Sequence, residues 1–166
     1  MKTARFVLVL LLALSISTIA VAQDAVEDDE FGVTVVAPDA WETTTDDDKA
    51  VASFKHADSQ SQIQVIGTRL MTAEVADTFF NTFHKTLTES NFEKVGEESA
   101  TIGDYEGKKV DYAFTHSGVT LEVVVFEFMR DQTAWLVIGY MQDEERANHE
   151  DAYLSVIENI RFAEGG

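Results

Sequence analysis

Between residues 31 and 37, Phe31, Val33, Val35 and Ala37 alternate with Gly32, Thr34 and Val36. That two-residue period predicts a strand with one buried face. Pro38, the only proline of the chain, ends it, because proline brings no N–H to a ladder and fixes φ. Trp41 follows a short Pro-Asp-Ala bend, and the expectation is a packing aromatic folded over the sheet end rather than a ligand platform. Extended segments at 50–56 and 61–70 flank Ala57-Asp58-Ser59-Gln60 and predict a hairpin. The period changes at Thr72. Ala76, Phe79, Phe80, Phe83 and Leu87 then form one helical stripe, with Thr72 as the expected cap, Glu74 favoured by the dipole in the first turn, and an end near Asn91.

Extended segments resume at 92–102, 108–116, 119–130 and 133–142, separated by 103–107, Ser117-Gly118 and Asp131-Gln132. Two-residue connections imply adjacent antiparallel strands. In LEVVVFEF (121–128) and AWLVI (134–138) both alternation classes are apolar, which predicts central strands covered on both faces. The first helix supplies one cover. A second helix, spanning about Glu144 to Asn159 with Asp143 as cap and Ala152, Val156, Ile157 and Ile160 as its stripe, supplies the other. The expected fold is α+β, an antiparallel sheet of about six to seven strands with helices on both faces.

The N-terminus places this domain in a compartment. Lys2 and Arg5 precede an apolar run, and Ala20-Val21-Ala22 closes it, in the order of a cleavable signal peptide. Cleavage is expected after Ala22, which leaves one domain at 31–163 behind an acidic, disordered leader at 23–30. Removing those two bases from the chain's 12, against 30 acids, takes the net charge from −18 to −20. Such a field disfavours nucleic acid and anionic membrane surfaces, whose binding rests on Lys and Arg. With no cysteine the chain carries neither disulfide nor thiolate metal site. The expected product is periplasmic or extracellular, with no membrane insertion after signal cleavage.

Reactive motifs are sparse. His56, His84, His116 and His149 are far apart in sequence, with no H-x-x-H or H-E-x-x-H spacing, so surface or edge positions are expected for them. His116 beside Ser117 would need a third orienting group and an oxyanion hole to act as a hydrolase, and hairpin-turn chemistry accounts for Ser117-Gly118 better. Asp46, Asp47 and Asp48 are a candidate calcium-attracting run, although alternate acidic positions, a central Gly and a terminal Glu are missing. No nucleotide-binding glycine motif occurs, and no cofactor is expected. Tyr105, Tyr112 and Phe114 read as core.

The order of these pieces carries a resemblance: VTVVAPDAW at 33–41, Tyr105-Glu106-Gly107-Lys108-Lys109 before a strand, TAWLVIGYM at 133–141 and YLSVIENIRF at 153–162. It resembles the PsbP-like superfamily, and within it the bacterial DcrB-like envelope proteins, over nearly the whole mature chain. The resemblance implies structural roles for Pro38, Trp41, Gly107, Trp135 and Phe162, and helices on both faces of an antiparallel sheet. It also implies accessory or binding work without enzymatic chemistry. Such proteins include photosystem extrinsic subunits, a nuclear-transport factor that binds a small GTPase, envelope proteins and chaperones of secreted effectors. The expectation is a non-enzymatic protein contacting another envelope or secreted protein, with a cation-responsive acidic stabilising protein as the alternative and a hydrolase third. Neither the binding face nor the oligomeric state follows from the sequence.

Overall fold

A computed structural model describes residues 24–45 and 49–163. Both the segment read as a signal peptide and the Asp46, Asp47, Asp48 run lie outside these residues. The elements are β1 (Ala25–Asp28), β2 (Val33–Val36), β3 (Trp41–Thr43), β4 (Ala52–His56), β5 (Gln62–Arg69), α1 (Ala76–Glu89), β6 (Glu93–Ile102), β7 (Tyr105–His116), β8 (Val119–Arg130), β9 (Thr133–Gln142), α2 (Asp143–Glu158) and β10 (Arg161–Phe162). Seven strands form one antiparallel sheet in the order β3-β4-β5-β9-β8-β7-β6. The two strands with apolar residues in both alternation classes, β8 and β9, are central as their composition predicts.

Alternation along β8 separates two cores. Val123 and Val125 pack with Val110, Tyr112, Leu136 and Ile138 beneath Ala76 and Phe80 of α1. Val124, Phe126 and Phe128 face the opposite way, toward Trp135, Val137 and the α2 residues Tyr153, Val156 and Ile157. A one-residue slip of register would exchange the two sets and misplace every cover.

The second face has a further cover that the sequence reading did not contain. β1, β2 and β10 form a separate three-stranded sheet, and Val33 and Val35 bring it into the α2-side core. The leader expected to be disordered therefore contributes strand β1. Its register runs from Ala25 opposite Val36 to Asp28 opposite Val33, and Val26 packs on the core. Asp28 Oδ1 accepts the Phe31 N–H at 2.9 Å, and Gly32 closes the turn at φ 59°. Against acidic composition, one half-buried valine and an aspartate side chain bonded across the turn are enough once β2 offers an edge.

Smaller differences have local causes. The 103–107 turn shrinks to Gly103-Asp104, because Ile102 already pairs with Tyr105. Thr72 precedes a single 3₁₀ turn at Ala73–Val75 and makes no side-chain cap bond. Asp143 lies inside the first turn of α2, its carboxylate accepting the N–H of Glu144 at 2.9 Å. α1 ends as expected: Asn91 takes φ 68°, while the Phe92 N–H reaches Leu87 O and the Asn91 N–H reaches Thr88 O, both at 3.1 Å. These two bonds satisfy carbonyls that a helix end leaves over.

Candidate functional site

Among the described residues, apart from the ion pairs of Arg146 with Asp111 and Glu122, three places set polar or titratable side chains against aromatic rings inside or beside the core. The first lies under α1. His84 follows Phe80 by four residues on the buried stripe, and Glu127 shares the α1-facing side of β8 with Val123 and Val125. His84 Nε2 lies 2.7 Å from Glu127 Oε2, and Tyr112 OH lies 2.7 Å from His84 Nδ1. Because a carboxylate only accepts, Nε2 carries the proton, and in the neutral ring Nδ1 accepts from the tyrosine hydroxyl. Burial first, then Glu127 and Glu97, push the Tyr112 hydroxyl up to about 12, so it stays a donor. Tyr112 is 1% exposed and Glu127 6%. A tyrosine enclosed to that degree meets no substrate, and the chain of bonds acts as a strut between α1, β7 and β8.

The second place joins α2 to the sheet edge. Trp41 pairs with His56 across β3 and β4, and the His56 ring lies 4.4 Å from that of His149. Trp41 stands edge-on to both, at 5.4 and 5.3 Å. His149 Nε2 is 3.1 Å from Glu145 Oε2 and 3.3 Å from Ser59 Oγ. The expectation of surface or edge histidines fails for His149, which is 5% exposed, and for His84, half-buried under α1. Helical spacing held the signal: His149, Tyr153, Val156 and Ile160 continue one buried stripe. Trp41 is itself buried, 6% exposed.

Burial first, and then the neighbouring His56, hold the His149 imidazole below its ordinary 6.5, while Glu145 opposes the shift. The unfolded chain therefore binds the proton more readily. Stability contributed by neutral His149 is present above pH 6.5 and declines as the pH falls below it. Urea midpoints measured from pH 7.5 down to pH 5 should fall, and a His149→Phe variant should flatten that limb.

The third place is an open cleft of about 1010 Å³ at one end of the sheet, where the β1–β2 and β8–β9 turns meet β10. Trp135 and Phe162 line it together with Phe31, Arg69, Arg130 and Thr133. Trp135 stands edge-on to Phe31 at 5.4 Å and to Phe162 at 5.0 Å. Gly67 makes room for the indole, since a Cβ there would come within 3.0 Å of the ring. Arg69 lies over Phe31 at 5.4 Å and Arg130 over Phe162 at 4.3 Å.

His116 and Ser117 join none of these places. They sit at the exposed β7–β8 turn, where Ser117 and Gly118 take φ 52° and 83°, as a two-residue hairpin demands. Pro38 follows β2 after one residue, Ala37, and is buried, and the Trp41 N–H bonds to its carbonyl at 3.2 Å. Gly107 sits where β7 and β8 approach too closely for any side chain: a Cβ would lie 2.2 Å from Glu127 O.

No protein family and no curated protein matches the sequence. Solved structures do. A cyanobacterial PsbP (CyanoP) from Synechocystis superposes with a TM-score of 0.63 at 10% identity, over 90% of this chain and 98% of its own. LpqN of Mycobacterium tuberculosis, involved in cell envelope biogenesis, gives 0.61 at 14%, over 85% and 90%. The Ran-binding protein Mog1p of Saccharomyces cerevisiae gives 0.57 at 12%, over 84% and 95%. Identities this low carry the architecture alone. Seven antiparallel strands, a small second sheet and two helices on opposite faces are the PsbP-like fold, and this chain has it.

Proposed function

We propose that the chain is an exported, non-enzymatic binding protein that contacts another envelope or exported protein. The observation that carries this reading is the contrast among the three polar places. Each histidine cluster is anchored by a buried member, Tyr112 with Glu127 in one and His149 in the other, and ties a helix to the sheet, whereas the cleft at the sheet end is open, aromatic-floored and flanked by exposed arginines. Concave surfaces with an apolar floor and a few polar groups are where proteins hold ligands. The signal-like N-terminus and the likeness to LpqN, which is involved in cell envelope biogenesis, support the compartment. Among the described residues, no helix is long and apolar enough to cross a membrane.

The test is affinity capture. Tagged mature chain, added to envelope extract at native salt and crosslinked, should retain a specific partner that survives competition by untagged chain. Recovery of none would contradict the proposal.

A further inference from the structure

Resting on that reading, the geometry points to the class of group the cleft receives: a polypeptide carboxylate, seated on the row Arg69–Thr133–Arg130. Thr133 is paired with Arg69 of β5 on one side and Arg130 of β8 on the other. Residues paired across neighbouring antiparallel strands point to the same face, so the two arginines flank one threonine, their Cα atoms about 10 Å apart. The next row on that face holds Gly67, Trp135 and Phe128. A charged rim thus stands directly over an aromatic floor.

The arginines of the folded domain are used differently. Arg146 is committed inside the structure, with 2.8 Å bonds to Glu122 and Asp111. Arg161 donates to the carbonyls of Glu158 and Ile160. Arg69 spends one N–H on the Glu30 carbonyl, of the five a guanidinium has. Arg130 Nε lies 3.9 Å from Asp131 Oδ2, beyond hydrogen-bond length. Each of these two is exposed, and each guanidinium lies over an aromatic ring. Such forks match a carboxylate two bonds at a time.

The rest of the cleft selects among anions. Asp29, Glu30 and Asp131 stand around the arginines. They repel a polyanion such as nucleic acid or polyphosphate, yet tolerate one carboxylate and attract neighbouring cationic side chains of the same peptide. Trp135 lines the cleft floor, and its enclosed Nε1–H has no hydrogen-bond partner. An orphaned donor of this kind is rare in a finished core. A volume of about 1010 Å³ with an open mouth exceeds the span of most small-ligand pockets and suits a chain segment. The carboxylate comes from either a chain terminus or an acidic side chain, and experiment separates the two.

Three hexapeptides with blocked N-termini serve as probes: one phenylalanine-containing sequence as its free C-terminal acid, the same sequence as its amide, and the amide with one internal glutamate. Titration of the mature chain is followed by calorimetry and by tryptophan emission, to which Trp135 contributes. At least one carboxylate peptide should bind saturably, with the amide weaker by about tenfold or more. The Arg69→Ala/Arg130→Ala variant, melting like the parent, should lose that preference, and Arg69→Lys/Arg130→Lys should keep part of the affinity. The acid binding alone assigns a terminus, and the glutamate peptide binding assigns a side chain. Equal binding of amide and acids, unchanged binding by the alanine variant, or no saturable binding would overturn the assignment. If the alanine variant still captures the partner from extract, the cleft assignment fails and the binding reading stands.

Discussion

Replacing Gly107 by alanine should cost about 3 kcal/mol or more of unfolding free energy, at the upper end of what an inserted methyl does in a packed interior. The reason is backbone, not side chain. A Cβ at Gly107 would sit 2.2 Å from the carbonyl oxygen of Glu127 and 3.0 Å from the Phe126 ring. That carbonyl belongs to central strand β8, which is hydrogen-bonded on both sides and has nowhere to retreat. Gly139 provides the contrast. A Cβ there meets the Met141 terminal methyl at 2.9 Å and the Tyr153 ring at 3.0 Å. The methionine end can swing aside, so Gly139→Ala should cost less, about 1 kcal/mol. Urea denaturation of the two variants decides it: a Gly107→Ala variant no less stable than Gly139→Ala would refute the close approach.

His84→Leu should destabilise by about 3 kcal/mol, because it leaves the Glu127 carboxylate enclosed without its shortest partner. Lys108 Nζ, 3.8 Å from Glu127 Oε1, is too far and too exposed to replace that bond. The double variant His84→Leu/Glu127→Leu should recover most of the loss, since removing both members of a buried pair removes the stranded charge as well. A double-mutant cycle by chemical denaturation measures the coupling. Additive losses would mean that the 2.7 Å contact does not couple the two side chains. The same pair identifies the strut as structural: binding of the carboxylate peptides should be unaffected in the double variant, because the cleft lies on the opposite face of the sheet.

Much of this architecture was legible from local pattern. The 119–130 and 133–142 strands match β8 and β9 residue for residue, because two-residue turns and doubly apolar strands are short-range signals. What escaped depends on distant partners. β1 has the composition of a solvated leader and becomes a strand only through β2, which β10 then extends from the far end of the chain. The histidines escaped for a related reason. Spacing to other histidines holds no burial signal, whereas burial is set by helical phase: His84 on the stripe of Phe80 and Leu87, His149 on that of Tyr153 and Val156.

The cleft was the least legible feature. Arg69 and Arg130 stand 61 positions apart in sequence, and only the β5–β9–β8 register sets them on either side of Thr133. Phe162, singled out only through the family resemblance, reaches the same place from the last described strand. Charge totals pointed away from such a site, because an acidic average conceals two adjacent arginines.

The most direct test of a cleft that receives a partner chain is site-specific photocrosslinking at its rim. A photoreactive residue replaces either Gln132, exposed on the cleft, or Val119, 53% exposed at the opposite end of β8. Irradiation in intact envelope should yield a discrete adduct from position 132, diminished by excess carboxylate peptide, and none from position 119. An adduct from position 119 with none from 132 would contradict the account.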